Sequence, residues 1–124
     1  MNVLATRIGK LELESPLLTA SGTFGHDPAA LSFLQPGDLG ALVLKTVTPE
    51  AREGNPNPRM CEWPGGVMNS IGLENKGLAY WREHVAPQLA VCPVPVVANA
   101  GGHDLEEYGV MTAAFDAMQG VAAI

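Results

Sequence analysis

Basic residues are scarce in this chain: seven Lys and Arg stand against thirteen Asp and Glu in 124 residues, a net charge of −6. A nucleic-acid surface needs clustered Lys and Arg to neutralise phosphates. Here the seven are scattered, several beside acids, and that class is set aside. Cysteine is nearly missing too. Cys61 and Cys92 form no close metal-ligand pair, and so few cysteines do not make a secreted disulfide scaffold. No stretch approaches the roughly eighteen uninterrupted apolar residues of a membrane-spanning helix. The N-terminus lacks the basic start and apolar core of a signal peptide. The expectation is a cytoplasmic location with free thiols, no membrane span and no bound metal.

Proline and glycine, by contrast, are plentiful, ten and fourteen. They cluster at the borders of apolar runs, as turn residues do. Three runs stop on small polar clusters: Pro16–Ser21, Ala41–Thr46 and Val94–Asn99. A fourth, Val121–Ile124, has no polar end. Short, nearly continuous apolar runs are the mark of strands buried on both faces of a parallel sheet. In barrels and doubly wound sheets the chemistry gathers where such strands end.

Between the runs lie helical patterns. Val3–Glu14 alternates about Gly9-Lys10 and reads as a hairpin. Pro16–Ala20 is a first buried strand. Pro28–Leu34 follows as a short helix, with Asp27 as its cap and Pro28 at its first position. Leu42–Leu44 is the second strand. A long loop from Thr46 to Met68 comes next, and loops this long inside a compact domain are usually functional or disordered. Gly77–Gln88 reads as a helix with Leu78, Trp81, Val85 and Leu89 on one stripe. Val94–Ala98 is the third strand. Asp104 and Glu107 have capping-box spacing, and Leu105, Tyr108, Thr112 and Phe115 are expected to share a face. A fourth strand begins at Val121. This alternation of strand and helix predicts right-handed parallel units. The first glycine loop lacks G-x-G-x-x-G, so a Rossmann dinucleotide site has little support. The fold class expected is α/β, the N-terminal half of a (β/α)8 barrel with a bottom β-hairpin, given that about 250 residues make a whole one. Residues 1–124 would form one partial barrel domain.

Lys45 is the sharpest candidate. It follows a buried run, so its stem is held and partly desolvated, which suits it to an anionic or electron-rich ligand. Position alone leaves open a lysine snorkelling to water. Asn69-Ser70-Ile71-Gly72-Leu73 closes the long loop. Asn offers donors and an acceptor on a short stem, Gly72 admits a close backbone approach, and the amides of Ile71–Leu73 could form an anion-binding concavity. An ordinary turn is the alternative. Ala20-Ser21-Gly22 and Asn99-Ala100-Gly101-Gly102 leave room for a flat cofactor, or simply turn from strand to helix. The stretch from Arg52 to Arg59 reads as a lid, an interface arm or a solvated loop. His26, His84 and His103 share no ligand spacing and are read as surface or capping residues.

Taken together, Thr19–Gly25, Leu44-Lys45-Thr46-Val47-Thr48, Arg52-Glu53-Gly54-Asn55-Pro56 and Asn69–Leu73 resemble, in order and spacing, the dihydroorotate dehydrogenase family. The wording is most similar to the soluble class 1B catalytic subunit, over its N-terminal half. The resemblance implies an FMN-dependent oxidoreductase that converts dihydroorotate to orotate in pyrimidine biosynthesis. By position, Ala20, Ser21, Gly22, Lys45, Thr46 and Asn99 would contact FMN. Lys45, Asn69, Ser70, Ile71, Gly72 and Leu73 would contact the substrate. Lys45 would act electrostatically. The family's catalytic base, a cysteine shortly after the fourth strand, is matched by neither Cys61 nor Cys92, so 124 residues alone are expected to be inactive. Lys76 stands where a proline is common in the family. The implied partners are an electron-transfer subunit with FAD and a 2Fe-2S cluster and, at full length, further copies of the chain. Two other readings are a non-catalytic half-barrel binding or assembly module and a related flavin-dependent pyrimidine reductase.

Overall fold

Pairing among the apolar runs is parallel. The computed structural model describes residues 3–26, 32–35 and 37–124. Strand β3 (Leu42–Val43) pairs in parallel with β6 (Val96–Val97), and β6 with β7 (Val121–Ala123), in the order β3-β6-β7. Sequential parallel neighbours joined by helices are what successive βα units give. The β3–β6 seam extends past the strand ends, with Leu44 N–H donating to Val97 O at 3.1 Å and Val47 N–H to Asn99 O at 2.9 Å.

The N-terminal hairpin forms as expected but shorter, as β1 (Thr6–Ile8) and β2 (Leu11–Leu13), turning at Gly9 with φ of 58°. The first run departs from its expectation as a buried strand. It makes one parallel bridge, Leu18 with Ala41, and Leu17 stays 62 % exposed. Pro16 has no N–H for a ladder. The Thr19 hydroxyl takes the ladder's place, accepting from Val43 N–H at 2.8 Å and donating to Val43 O at 3.0 Å. Of the helix expected at 28–34, residues 27–31 lie outside the described residues, and Ser32-Phe33 form a turn.

The long loop is corrected as well. It contains an antiparallel hairpin, β4 (Met60–Trp63) with β5 (Gly66–Asn69), in register Met60 with Asn69 and Trp63 with Gly66. Pro64-Gly65 forms its turn, a dipeptide that marks reversals. The hairpin stands out from the body, with Met60, Trp63, Val67 and Met68 all about half-exposed or more.

The stripe Leu78, Trp81, Val85 and Leu89 is buried as its spacing predicts. Its helix has an unexpected middle: α1 (Gly77–Tyr80), a π turn (Trp81–Val85) and α2 (Ala86–Leu89). Ala86 N–H reaches back to Trp81 O. Pro87 explains the widening, since it offers no N–H to the Glu83 carbonyl and its ring crowds that oxygen. Helix α3 (Leu105–Asp116) starts at Asp104, whose carboxylate accepts from Glu107 N–H at 2.9 Å, while Glu107 reaches back to His103 N–H at 2.8 Å. The face expected for α3 is wrong. Met111, Ala114 and Phe115 are buried, whereas Leu105 is 91 % exposed and Tyr108 and Thr112 face solvent. The buried residues form the stripe that meets the sheet, and Leu105 lies on the first turn outside it. Trp81 and Phe115 meet edge-to-face with ring centres 5.0 Å apart, a contact adding about 1 kcal/mol beyond its buried area.

Candidate active site at the strand ends

Three strand ends are stitched into one patch. Ser21 Oγ donates to Leu44 O at 3.0 Å, and Lys45 N–H to Gly25 O at 3.4 Å. Gly101 N–H donates to Val47 O at 2.8 Å, and a Cβ on Gly101 would lie 2.7 Å from the Thr46 side chain. Ser21, Lys45, Thr46 and Asn99 are thus carried by adjoining loops at the carboxyl ends of the strands. Ala20 and Gly22 belong to the same turn, closed by Thr23 N–H on Ala20 O at 3.1 Å, with Gly22 at φ of 83°.

Among the described residues, the Lys45 ammonium, the Thr46 hydroxyl and the Asn99 amide have no hydrogen-bond or ion-pair partner. Polar groups of this kind are normally satisfied when they are half-buried. A cation, a hydroxyl and a carboxamide left unpaired beside a glycine-lined backbone fit a flat ligand with carbonyl and anionic oxygens. FMN is such a ligand, and the residues present suit it.

Lys45 also lines a cavity of about 590 Å³ with His26, Arg52, Glu74, Asn75 and Tyr80. His26 is a correction. Rather than a surface or capping residue, it has both ring nitrogens buried without a partner among the described residues. Its burial, and secondarily the Lys45 charge, lower its pKa from 6.5 to about 4, so it is neutral at physiological pH. A neutral imidazole beside Lys45 adds no charge of its own, so the positive charge lining the cavity comes from Lys45, Arg52 and Lys76.

The loop Asn69–Leu73 does not line this cavity. Asn69 ends β5, and the loop is clamped from behind by the stretch that begins at Arg52. Asn55 N–H donates to Ile71 O at 2.9 Å, and its side chain to Ser70 O at 2.8 Å. Ser70 N–H donates to Arg59 O at 2.9 Å, and Arg59 pairs with Glu74. The arm from Arg52 to Arg59 is therefore a brace for the loop, and a solvated one: Glu53 and Asn55 to Pro58 are exposed. The amides of Ile71, Gly72 and Leu73 have no partner among the described residues, so they remain free to meet an anion. One further residue escaped the sequence reading. Asn75, 5 % exposed, joins Thr48, Leu73 and Gly77. Only its Asx-turn spacing to Gly77 could have flagged it. His103 is exposed at the helix cap, as its reading as a surface or capping residue expects, and also bonds Arg52 Nη1 at 2.9 Å. Among the described residues no group of His, Cys, Asp or Glu could hold a metal, and no helix is long and apolar enough to cross a membrane.

Parallel βα units with free polar groups gathered at the carboxyl ends of their strands are the arrangement of a (β/α)8-type barrel, whose sites lie at that face. A family model described as Dihydroorotate dehydrogenase matches residues 3–124. The chain belongs to the dihydroorotate dehydrogenase family. It is 44 % identical over 121 residues to a protein of Desulforamulus reducens named dihydroorotate dehydrogenase B (NAD(+)), catalytic subunit, covering 98 % of this chain and 40 % of that one. A protein of the same name from Bacteroides fragilis is 39 % identical over 105 residues, covering 85 % and 35 %. The chain thus spans about two fifths of the length of these curated relatives. In fold it resembles the crystal structure of a ligand-free DHODH from Eimeria tenella, with a TM-score of 0.61 and 21 % identity over 84 % of this chain and 32 % of that one. The fold is a partial barrel of this kind.

Proposed function

We propose that this chain forms the first-to-third-strand side of the active site of a dihydroorotate dehydrogenase, an FMN-dependent oxidoreductase of pyrimidine biosynthesis that converts dihydroorotate to orotate. The observation that carries the reading is the unpaired set of Lys45, Thr46 and Asn99 at adjoining strand ends, in a chain whose relatives are named for that activity. FMN, when bound, supplies the hydride acceptor. Ala20, Ser21 and Gly22 give it a small-residue wall. Thr46 and Asn99 offer hydrogen bonds to its oxygens. The Lys45 ammonium offsets negative charge developing at the reacting centre, in a site where water is partly excluded. The free amides of Ile71–Leu73, with Asn69 and Ser70 beside them, hold the substrate's anionic and carbonyl oxygens. Cys61 lies on the exposed β4, and Cys92 precedes β6, at the amino end of that strand. Neither is assigned the proton removed from the substrate. That base belongs to the part of the enzyme represented in the relatives after the fourth strand.

The relatives' names include NAD(+) and the word subunit. The reading accordingly extends to a cytoplasmic assembly in which electrons pass to NAD through a partner carrying FAD and a 2Fe-2S cluster. A chimera tests it: residues 3–124 replace the matching segment of the Desulforamulus reducens relative. Dihydroorotate should bleach its flavin and yield orotate, and Lys45→Ala should lower kcat/KM by about a hundredfold, as loss of one preorganised charge typically does. A folded, flavin-loaded chimera in which Lys45→Ala turns over at the parent rate sinks the role given to Lys45.

A further inference from the structure

Asn75 has each of its side-chain hydrogen-bonding positions accounted for. The Thr48 hydroxyl has one proton, spent on Glu50 O at 2.6 Å. It therefore accepts from Asn75 Nδ2, at 3.0 Å, while the second Nδ2 hydrogen goes to Leu73 O at 2.8 Å. Asn75 Oδ1 accepts from Thr48 N–H at 3.2 Å and from Gly77 N–H at 2.9 Å. Two donors and two acceptors are all that a carboxamide offers. The backbone of Asn75 adds a reciprocal pair with Arg52, at 2.8 and 3.0 Å. One buried side chain thereby bridges three pieces: the segment three residues beyond Lys45, the end of the loop Asn69–Leu73, and the first turn of α1.

The loop end it holds is not one the chain adopts on its own. Leu73 has a φ of 56°, the single positive-φ residue other than glycine among the described residues, next to Gly72 at 79°. A leucine persists in that conformation only where its surroundings over-determine it. The bond from Asn75 Nδ2 to Leu73 O fixes the carbonyl immediately after the strained φ, and so anchors the C-terminal end of the segment that carries the free amides of Ile71–Leu73. We propose that Asn75 is the positioning residue that sets the substrate loop against the strand end carrying Lys45. The inference rests on the functional reading above for what the loop binds, but not for how the loop is held.

Only Gln carries the same carboxamide, and its extra methylene displaces it from these four short bonds. Asp offers acceptors only, and Leu offers neither donors nor acceptors. The test is amide hydrogen exchange on the 124-residue chain. Asn75→Asp should speed exchange in residues 70–77 and at Asn55 by at least about tenfold, leaving β6 and α3 near their wild-type rates, because such openings are local. Thr48→Val removes one bridge without adding charge and should loosen the same residues less, and Thr48→Ser should restore them. These milder variants keep the test decisive where Asn75→Asp does not fold. Uniform acceleration across the chain, or unchanged exchange at 70–77, overturns the proposal. In the chimera, Asn75→Asp should weaken orotate by at least about tenfold at near-normal FMN affinity. FMN loss of the same size shows a merely structural role and overturns it. A wild-type chimera that binds FMN but no orotate overturns the functional reading instead, and the exchange result still decides how the loop is held.

Discussion

The same substitution, Gly→Ala, should have opposite signs at two places in this chain. Gly54 sits at φ of 77°, and a Cβ there would lie 2.3 Å from Ile71 O. That oxygen is the one accepting from Asn55 N–H. An alanine must adopt a left-handed conformation, at about 1–2 kcal/mol. It must also push the carbonyl away, losing a hydrogen bond worth about 1 kcal/mol net. The sum is about 2–3 kcal/mol, roughly 30- to 140-fold in a local opening equilibrium. Gly109, in α3, has nothing within 4 Å of its absent Cβ and no positive φ. There alanine should stabilise the helix by about 0.5–1 kcal/mol through lost chain entropy. Exchange of the Asn55 amide reads the first effect, and the urea midpoint of Gly109→Ala reads the second. If Gly54→Ala leaves the Asn55 amide at its wild-type rate, the brace between the two loops is not what the geometry says. If Gly109→Ala destabilises, the helix surface there is not open.

Three further outcomes follow from the core and its borders. His26 is held near pKa 4 when folded against about 6.5 unfolded, so the unfolded chain binds the extra proton. Its contribution is complete above about pH 6.5 and is lost as pH falls toward 4. The difference in urea midpoint between wild type and His26→Phe should change across that window, and a difference independent of pH refutes the burial assigned to the ring. Phe115→Ala, at a site with no exposure, should cost about 3–5 kcal/mol in chemical denaturation, and a loss under 1 kcal/mol would mean the Trp81–Phe115 contact is not formed. Asp104→Ala should cost about 1 kcal/mol and reduce helical circular dichroism from α3, with Asp104→Ser recovering most of it.

What was legible in the sequence was whatever depends on near neighbours. The stripe of Leu78, Trp81, Val85 and Leu89 is written in its spacing, and the cap at Asp104 in its distance from Glu107. The parallel order followed from alternation alone. In α3 the spacing of Leu105, Tyr108, Thr112 and Phe115 is as helical as that of the stripe through Met111 and Ala114. Apolar character does not say which arc meets the sheet, and Leu105 drew the reading to the wrong one. The β4–β5 hairpin was readable at Pro64-Gly65 and was hidden by the polar residues around it. Lys45 stood out because a charge after a buried run is conspicuous. Asn75 did not, because two of its four bonds go to Thr48, 27 residues earlier in the chain. His26 looks like any loop histidine until the strand-end loops close over it.

The π turn at Trp81–Val85 has a consequence for the order in which the chain folds. The pieces on either side, Gly77–Tyr80 and Ala86–Leu89, are four residues each. Segments that short cannot nucleate a helix in water, and Pro87 stops one from propagating into the other. Residues 77–89 therefore gain their shape only by seating Trp81, Val85 and Leu89 against the sheet, and they are a late, contact-dependent element of folding. In kinetic measurements the fluorescence change of Trp81 and the helical signal of this segment should arrive together, after α3, whose single uninterrupted run and Asp104 cap let it begin on its own.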